Sequence, residues 1–127
     1  MEIQKANGLY FEFVDLSDSI VVGWRNVSES FSVDLEVSIS KHHPLYIKPP
    51  SEHRSCFKKG VLKFASVTSI EGLLPVEDVT PTKDANGEIY FDTLHGVWTT
   101  DTGYYIEGEF GEVQIESAAP TLDFDDQ

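Results

Sequence analysis

Four side chains able to do chemistry fall between residues 43 and 56: His43, Tyr46, His53 and Cys56. His53-x-x-Cys56 has a spacing that zinc can use, but a closed zinc site needs four ligands. The other imidazoles are His42 and the distant His95, and Cys56 is the single cysteine of the chain. The donor set is too small, so no metal and no cofactor are expected. A second chemistry would pair Cys56 as nucleophile with His43 or His53 as base. It needs a thiolate of low pKa and a third group to orient the base. Arg54, Lys58 and Lys59 would favour the thiolate, yet no local motif of a cysteine enzyme surrounds Cys56. The plainer expectation is structural. His43 and Tyr46 fix a loop through hydrogen bonds to backbone groups, and Cys56 packs as a small hydrophobe. A small-ligand or metal site on the 42–56 loop, built on His43, His53 and Cys56, stays as the alternative.

The second constellation is anionic. Glu107, Glu109, Glu112 and Glu116 should lie on one face of a hairpin near the C-terminus, where like charges close across strands cost stability. Such a face is either solvated surface, or paired with Lys and Arg of 41–63, or a recognition surface for a basic partner. Tyr105, out of phase with Ile106, and Tyr46, beside His43, are the rings expected to be exposed and to join that surface. Alternate strand positions lack the loop geometry of a calcium site, and nothing marks an acid of raised pKa for glycoside hydrolysis. Phosphate-binding glycine loops, a Gly-x-Ser-x-Gly elbow and a His-Glu-x-x-His helix are absent from the sequence. The expectation is a protein that is not an enzyme.

Charge narrows the partners. Residues 41–63 hold six of the nine Lys/Arg and three of the four His, against the single acid Glu52. The other 104 residues hold 21 acids and three Lys/Arg, and the chain carries a formal −13. This body repels nucleic acid and anionic membrane, and favours a basic protein as partner. One cysteine forbids an intrachain disulfide, which suits a reducing compartment. The N-terminus lacks the pattern of a signal peptide, and no apolar run reaches the roughly 20 residues of a membrane helix. Asn26-Val27-Ser28 reads as an accidental sequon. A cytoplasmic location is expected, and the sequence leaves the oligomeric state open.

The elements that must carry these residues are strands. Phe31, Val33, Leu35, Val37 and Ile39 alternate with Ser32, Asp34, Glu36, Ser38 and Ser40, one face buried and one wet. Leu9, Phe11 and Phe13 begin a similar run, Asp15–Ser19 spells a turn, and Ile20–Trp24 is a short buried strand, so the first forty residues read as a three-stranded meander. Prolines 44, 49 and 50 keep 44–50 out of a central strand. Alternation resumes after Gly60 with Leu62 and Phe64. Gly72–Asp84 reads as a long loop, Asn86-Gly87 and Asp101–Gly103 as turns, and Tyr104–Phe110 with Val113–Ile115 as the last hairpin. Pro120 closes the ordered part. One domain over residues 1–122 with an acidic, frayed tail at 123–127 follows, and its class is all-β: an antiparallel β-sandwich or partly open barrel of about seven to nine strands with little helix.

His43-Pro44-x-Tyr46, Pro50, His53, Cys56-Phe57, Gly60, Phe64 and Val67 resemble the central block of a family of small acidic bacterial proteins. The acidic stretch Asp84–Asp92, the segment Tyr105-x-x-Gly108-x-x-Gly111-x-Val113 and the ending Ala119-Pro120-Thr121-Leu122 continue the likeness over about residues 30–122. That family implies no established activity. In size and style the chain is also similar to immunity proteins of bacterial toxin systems. This second resemblance implies a non-catalytic inhibitor that blocks a basic partner such as a toxin.

Overall fold

A computed structural model describes residues 8–9, 11–48 and 56–124. Among the described residues, ten strands form antiparallel sheets of four, four and two, none closed into a barrel. The first sheet has the order β1 (Val14–Val27), β2 (Ser30–Ile39), β3 (Cys56–Phe64), β10 (Thr121–Phe124). In the second, β4 (Ser69–Glu71), β9 (Gly111–Glu116), β8 (Tyr104–Gly108) and β7 (Gly96–Thr99) lie side by side. The third is the small hairpin of β5 (Thr82–Lys83) and β6 (Ile89–Tyr90). The extra strands beyond the expected number are these short ones, too brief to show a period.

The two large sheets share one core. Phe31, Val33, Leu35, Val37 and Ile39 of β2 are all buried, as their alternation requires. From the opposing sheet come Val97, Ile106, Val113 and Ile115, with Phe110 from the β8–β9 turn. Phe31 sits between Phe64, ring centroids 6.0 Å apart, and Phe110 at 6.1 Å. Burying one such ring contributes about 1.5–3 kcal/mol, so this aromatic stack is a large part of what holds the sheets together.

The sheets also exchange hydrogen bonds where the chain crosses between them. Ala118 N–H donates to the Ala65 carbonyl and Thr68 N–H to that of Glu116, so the segments joining β3 to β4 and β9 to β10 cross between the sheets side by side. On the other side Val21 and Asp92 are joined, as are Phe91 and Val21, which docks the 91–94 segment on β1.

Three sequence expectations change. The N-terminal meander is two strands, because β1 runs on through the Asp15–Ser19 segment expected to turn. There, four residues (Leu16–Ser19) stand opposite Val37 alone, a wide bulge between the pairs Asp15/Ser38 and Ile20/Glu36. Ser19 closes it: its Oγ donates to the Asp15 carbonyl at 2.9 Å and accepts from Ser38 N–H at 3.0 Å, replacing missing ladder bonds. The described residues of 9–13 add no strand to the meander; Gly8 bridges Trp98 and Leu9 N–H donates to the Val97 carbonyl at the margin of β7. The tail expected to fray from Asp123 begins instead with strand: Asp123 and Phe124 pair with Val61 and Gly60. Gln127 and its two neighbours lie outside the described residues. The Asn86-Gly87 turn stands as expected, Gly87 at φ +85° and Asp84 Oδ1 accepting from the N–H groups of Asn86 and Glu88. No helix among the described residues is long and apolar enough to cross a membrane.

Candidate functional site

The 40–48 loop is held by its own backbone. His43 N–H donates to the Ser40 carbonyl, Tyr46 N–H to that of His43, and Leu45 N–H to His43 Nδ1 at 3.1 Å. The His43 ring stands edge-on to Phe124 with centroids 5.0 Å apart. Cys56 is buried opposite Ile39, and its Sγ accepts from Ile47 N–H at 3.5 Å. One donor atom of each, His43 Nδ1 and Cys56 Sγ, therefore already accepts from a backbone N–H group. His53 lies outside the described residues. Among the described residues no three His, Cys, Asp or Glu side chains gather in a way that could hold a metal ion.

Tyr46 is half-buried and packs against the core from the far end of β2. It lines a recess with Asp15, Asp18 and Lys41, where the neighbouring charge of Asp15 holds the exposed Asp18 carboxyl above the usual carboxylate range. This places it on the first sheet, away from the hairpin it was expected to join.

The anionic face is built by β8, β9 and their turn. Glu107 and Glu112 stand directly opposite each other, since the pair Gly108/Gly111 sets the register. Glu116 shares their face, four residues further along β9, about 13 Å away at strand spacing. Glu109 does not. It sits in the turn, and its Oε1 accepts from Asp92 N–H at 3.1 Å, so this carboxylate ties the turn to the 91–94 segment.

Tyr105 corrects the expectation of an exposed ring, being only 4 % accessible. The alternation does put it on the outer face, yet its cross-strand neighbours there are Trp98 and Gln114, and the Trp98 ring lies 5.6 Å away. Its hydroxyl donates to Glu107 Oε1 at 3.3 Å. Burial, with the charges of Glu107 and Glu112 adding to it, pushes the Tyr105 phenol from 10.0 up to about 12. Folding thus favours the neutral phenol. The stability it contributes is fully present below pH 10 and is lost as pH rises through about 12. Chemical denaturation across that window should show a loss of stability that Tyr105→Phe removes. An identical alkaline loss in the variant would assign the effect elsewhere.

Sequence reasoning missed three members of this face. Glu71 of β4 pairs with Gln114, Trp98 of β7 with Tyr105, and His95 Nδ1 lies 3.5 Å from Glu107 Oε2. Strands of three and four residues give no phase from which Glu71 or Trp98 could have been placed. Among the described residues, Lys59 and Lys63 of the basic segment lie on β3 of the other sheet and alternate away from the core, where Arg25 of β1 pairs with Asp34. No Lys or Arg among the described residues reaches Glu107, Glu112 or Glu116.

These features define an antiparallel β fold of two four-stranded sheets and a small hairpin that carries carboxylates in register on the outer face of one sheet. No family model, no curated protein and no solved structure matches the chain.

Proposed function

We propose that this chain is a non-catalytic bacterial interaction module of the cytoplasm, an immunity-type inhibitor that binds a basic protein such as a toxin through the outer face of the β4-β9-β8-β7 sheet. One observation carries the reading. Glu107 and Glu112 oppose each other across two strands with no Lys or Arg beside them among the described residues. Like charges placed so are destabilising, by roughly 0.2–1 kcal/mol per pair, and a basic partner would relieve that cost. The −13 of the chain steers a cationic partner toward it from a distance. Half-buried Trp98, level with Tyr105 beside the acids, offers the ring that interface centres favour.

The partner is obtained by tagged pull-down from the source cells at low salt, with native mass spectrometry of what elutes. The Glu107→Gln/Glu112→Gln double variant should then be more stable than the parent by up to about 1 kcal/mol, because the repulsion is gone. Its affinity for the captured protein should fall at least about tenfold, mostly through a slower on-rate and a flatter salt dependence. A more stable variant that binds as well as the parent would leave the acids as solvated surface and end the proposal.

A further inference from the structure

The outer face of the first sheet has apolar residues where water-facing positions should be polar. Ile20 and Val22 of β1 and Val61 of β3 are half-buried there. Val22 is the extra residue of a second bulge, between the pairs Val21/Leu35 and Gly23/Asp34, so β1 turns both Val21 and Trp24 inward and leaves Val22 to the outer surface. The β5–β6 hairpin stands beside this strip and lends Ile89 and Tyr90. Together they bound two adjoining cavities of about 610 and 240 Å³, which share Val22, Glu36 and Lys59. The larger falls in the size range of small-molecule sites, which are commonly apolar recesses with a few placed polar groups.

The polar groups here are mostly acidic. Asp34 and Glu36 rise from β2, while Asp84 and Glu88 descend from the hairpin. Four carboxylates face two cations, Arg25 paired with Asp34 and Lys59 in register opposite Glu36, so the walls stay net negative. An apolar floor under carboxylate walls complements a molecule that is hydrocarbon at one end and cationic at the other. An anion would meet repulsion, and a neutral hydrocarbon would forgo the charge.

We infer that this groove is a binding site for a small organic cation, a primary amine on a short aryl or alkyl stem. The amine lies toward Glu36 and Glu88 and the stem over Val22 and Ile89. The site is on the opposite sheet from Glu107 and Glu112 and does not depend on a protein partner for that face.

The test uses 2-phenylethylamine and its uncharged counterpart 2-phenylethanol, titrated into the full chain and followed by amide NMR shifts. The amine should saturate, with shifts concentrated at Val22, Lys59 and Ile89, and the alcohol should bind at least about fivefold more weakly. Glu36→Gln/Glu88→Gln should weaken the amine about three- to tenfold and leave the alcohol unchanged, the scale expected for two part-exposed charge contacts. Ile89→Ser, on an exposed hairpin position, should weaken both probes alike and checks the apolar half separately. Equal binding of amine and alcohol would overturn the inference. So would saturable amine shifts centred on Glu107 and Glu112, which would make the amine a report on the hairpin face instead.

Discussion

Gly111→Ala is expected to cost about 3–5 kcal/mol, a large share of the 5–15 kcal/mol that holds a domain of this kind, and to lower the melting temperature by roughly 10–20 °C. Two effects add. Gly111 has φ +123°, in a region that L-residues enter only with strain of about 1–3 kcal/mol. A Cβ there would also stand 2.3 Å from the Gly72 carbonyl oxygen, and a backbone atom cannot rotate away as a flexible side chain could. The contact is reciprocal, since a Cβ on Gly72 would meet the Glu112 carbonyl oxygen at 2.2 Å. Residues 72–74 therefore lie backbone-to-backbone on the β8–β9 turn. Leu74 N–H donates to the Phe110 carbonyl there, and the buried Trp24 indole N–H donates to the Leu74 carbonyl at 2.8 Å. Moving the chain off Gly111 would loosen all of these at once. Gly87→Ala is the control: its φ is +85°, but nothing lies within 4 Å of the added carbon. It should lose only the strain, about 1 kcal/mol. Equal losses in the two melts would show that the close packing of 72–74 on the turn contributes nothing.

The last hairpin was legible in the sequence, but the register that sets Glu107 against Glu112 came only with the pair Gly108/Gly111. The five-fold alternation of β2 was equally plain, because polar residues at every second position write the phase of a strand, although Ser32 and Ser38, expected to be wet, are buried. The parts that could not be read share a different cause. Asp-Leu-Ser-Asp-Ser spells a turn by composition, yet Ser19 supplies from its side chain the bonds that let β1 continue through the bulge. Alternation set the side of the sheet on which Tyr105 stands. Its burial depends on which strands flank it, and that is a property of the topology. Glu109 follows the same rule. It continues the period of its neighbours, but it has left the strand for the turn, where its exposed carboxylate accepts from Asp92 N–H. Strand order also decides the fate of the basic segment. With β3 inside the first sheet, its lysines cannot neutralise the hairpin of the second. The second sheet's outer face keeps its acids, while the first mixes Lys59 and Lys63 with its own Asp34 and Glu36.

Phe110→Ala should couple core and face in one measurement. Phe110 belongs to the two-residue turn between Glu107's strand and Glu112's, yet its ring is fully buried, 5.5 Å from Trp24 and 6.1 Å from Phe31. Its truncation should cost about 3–5 kcal/mol, the transfer term plus the cavity left between the sheets. Phe110→Leu refills most of that space and should cost no more than about 1.5 kcal/mol. The distribution of the loss matters more than its total. With the ring gone, the turn keeps only its backbone bonds and the Glu109–Asp92 contact. Amide exchange at Glu107 and Glu112 should then accelerate more than at Val33 or Leu62, which keep their own strand pairings. If the acidic face is an interface, the same variant should bind its partner more weakly even under conditions where it remains folded, because the pair Glu107/Glu112 is no longer held in register. Uniform acceleration across both sheets would instead mean that Phe110 stabilises the domain as a whole, and that the face it carries needs no anchoring of its own.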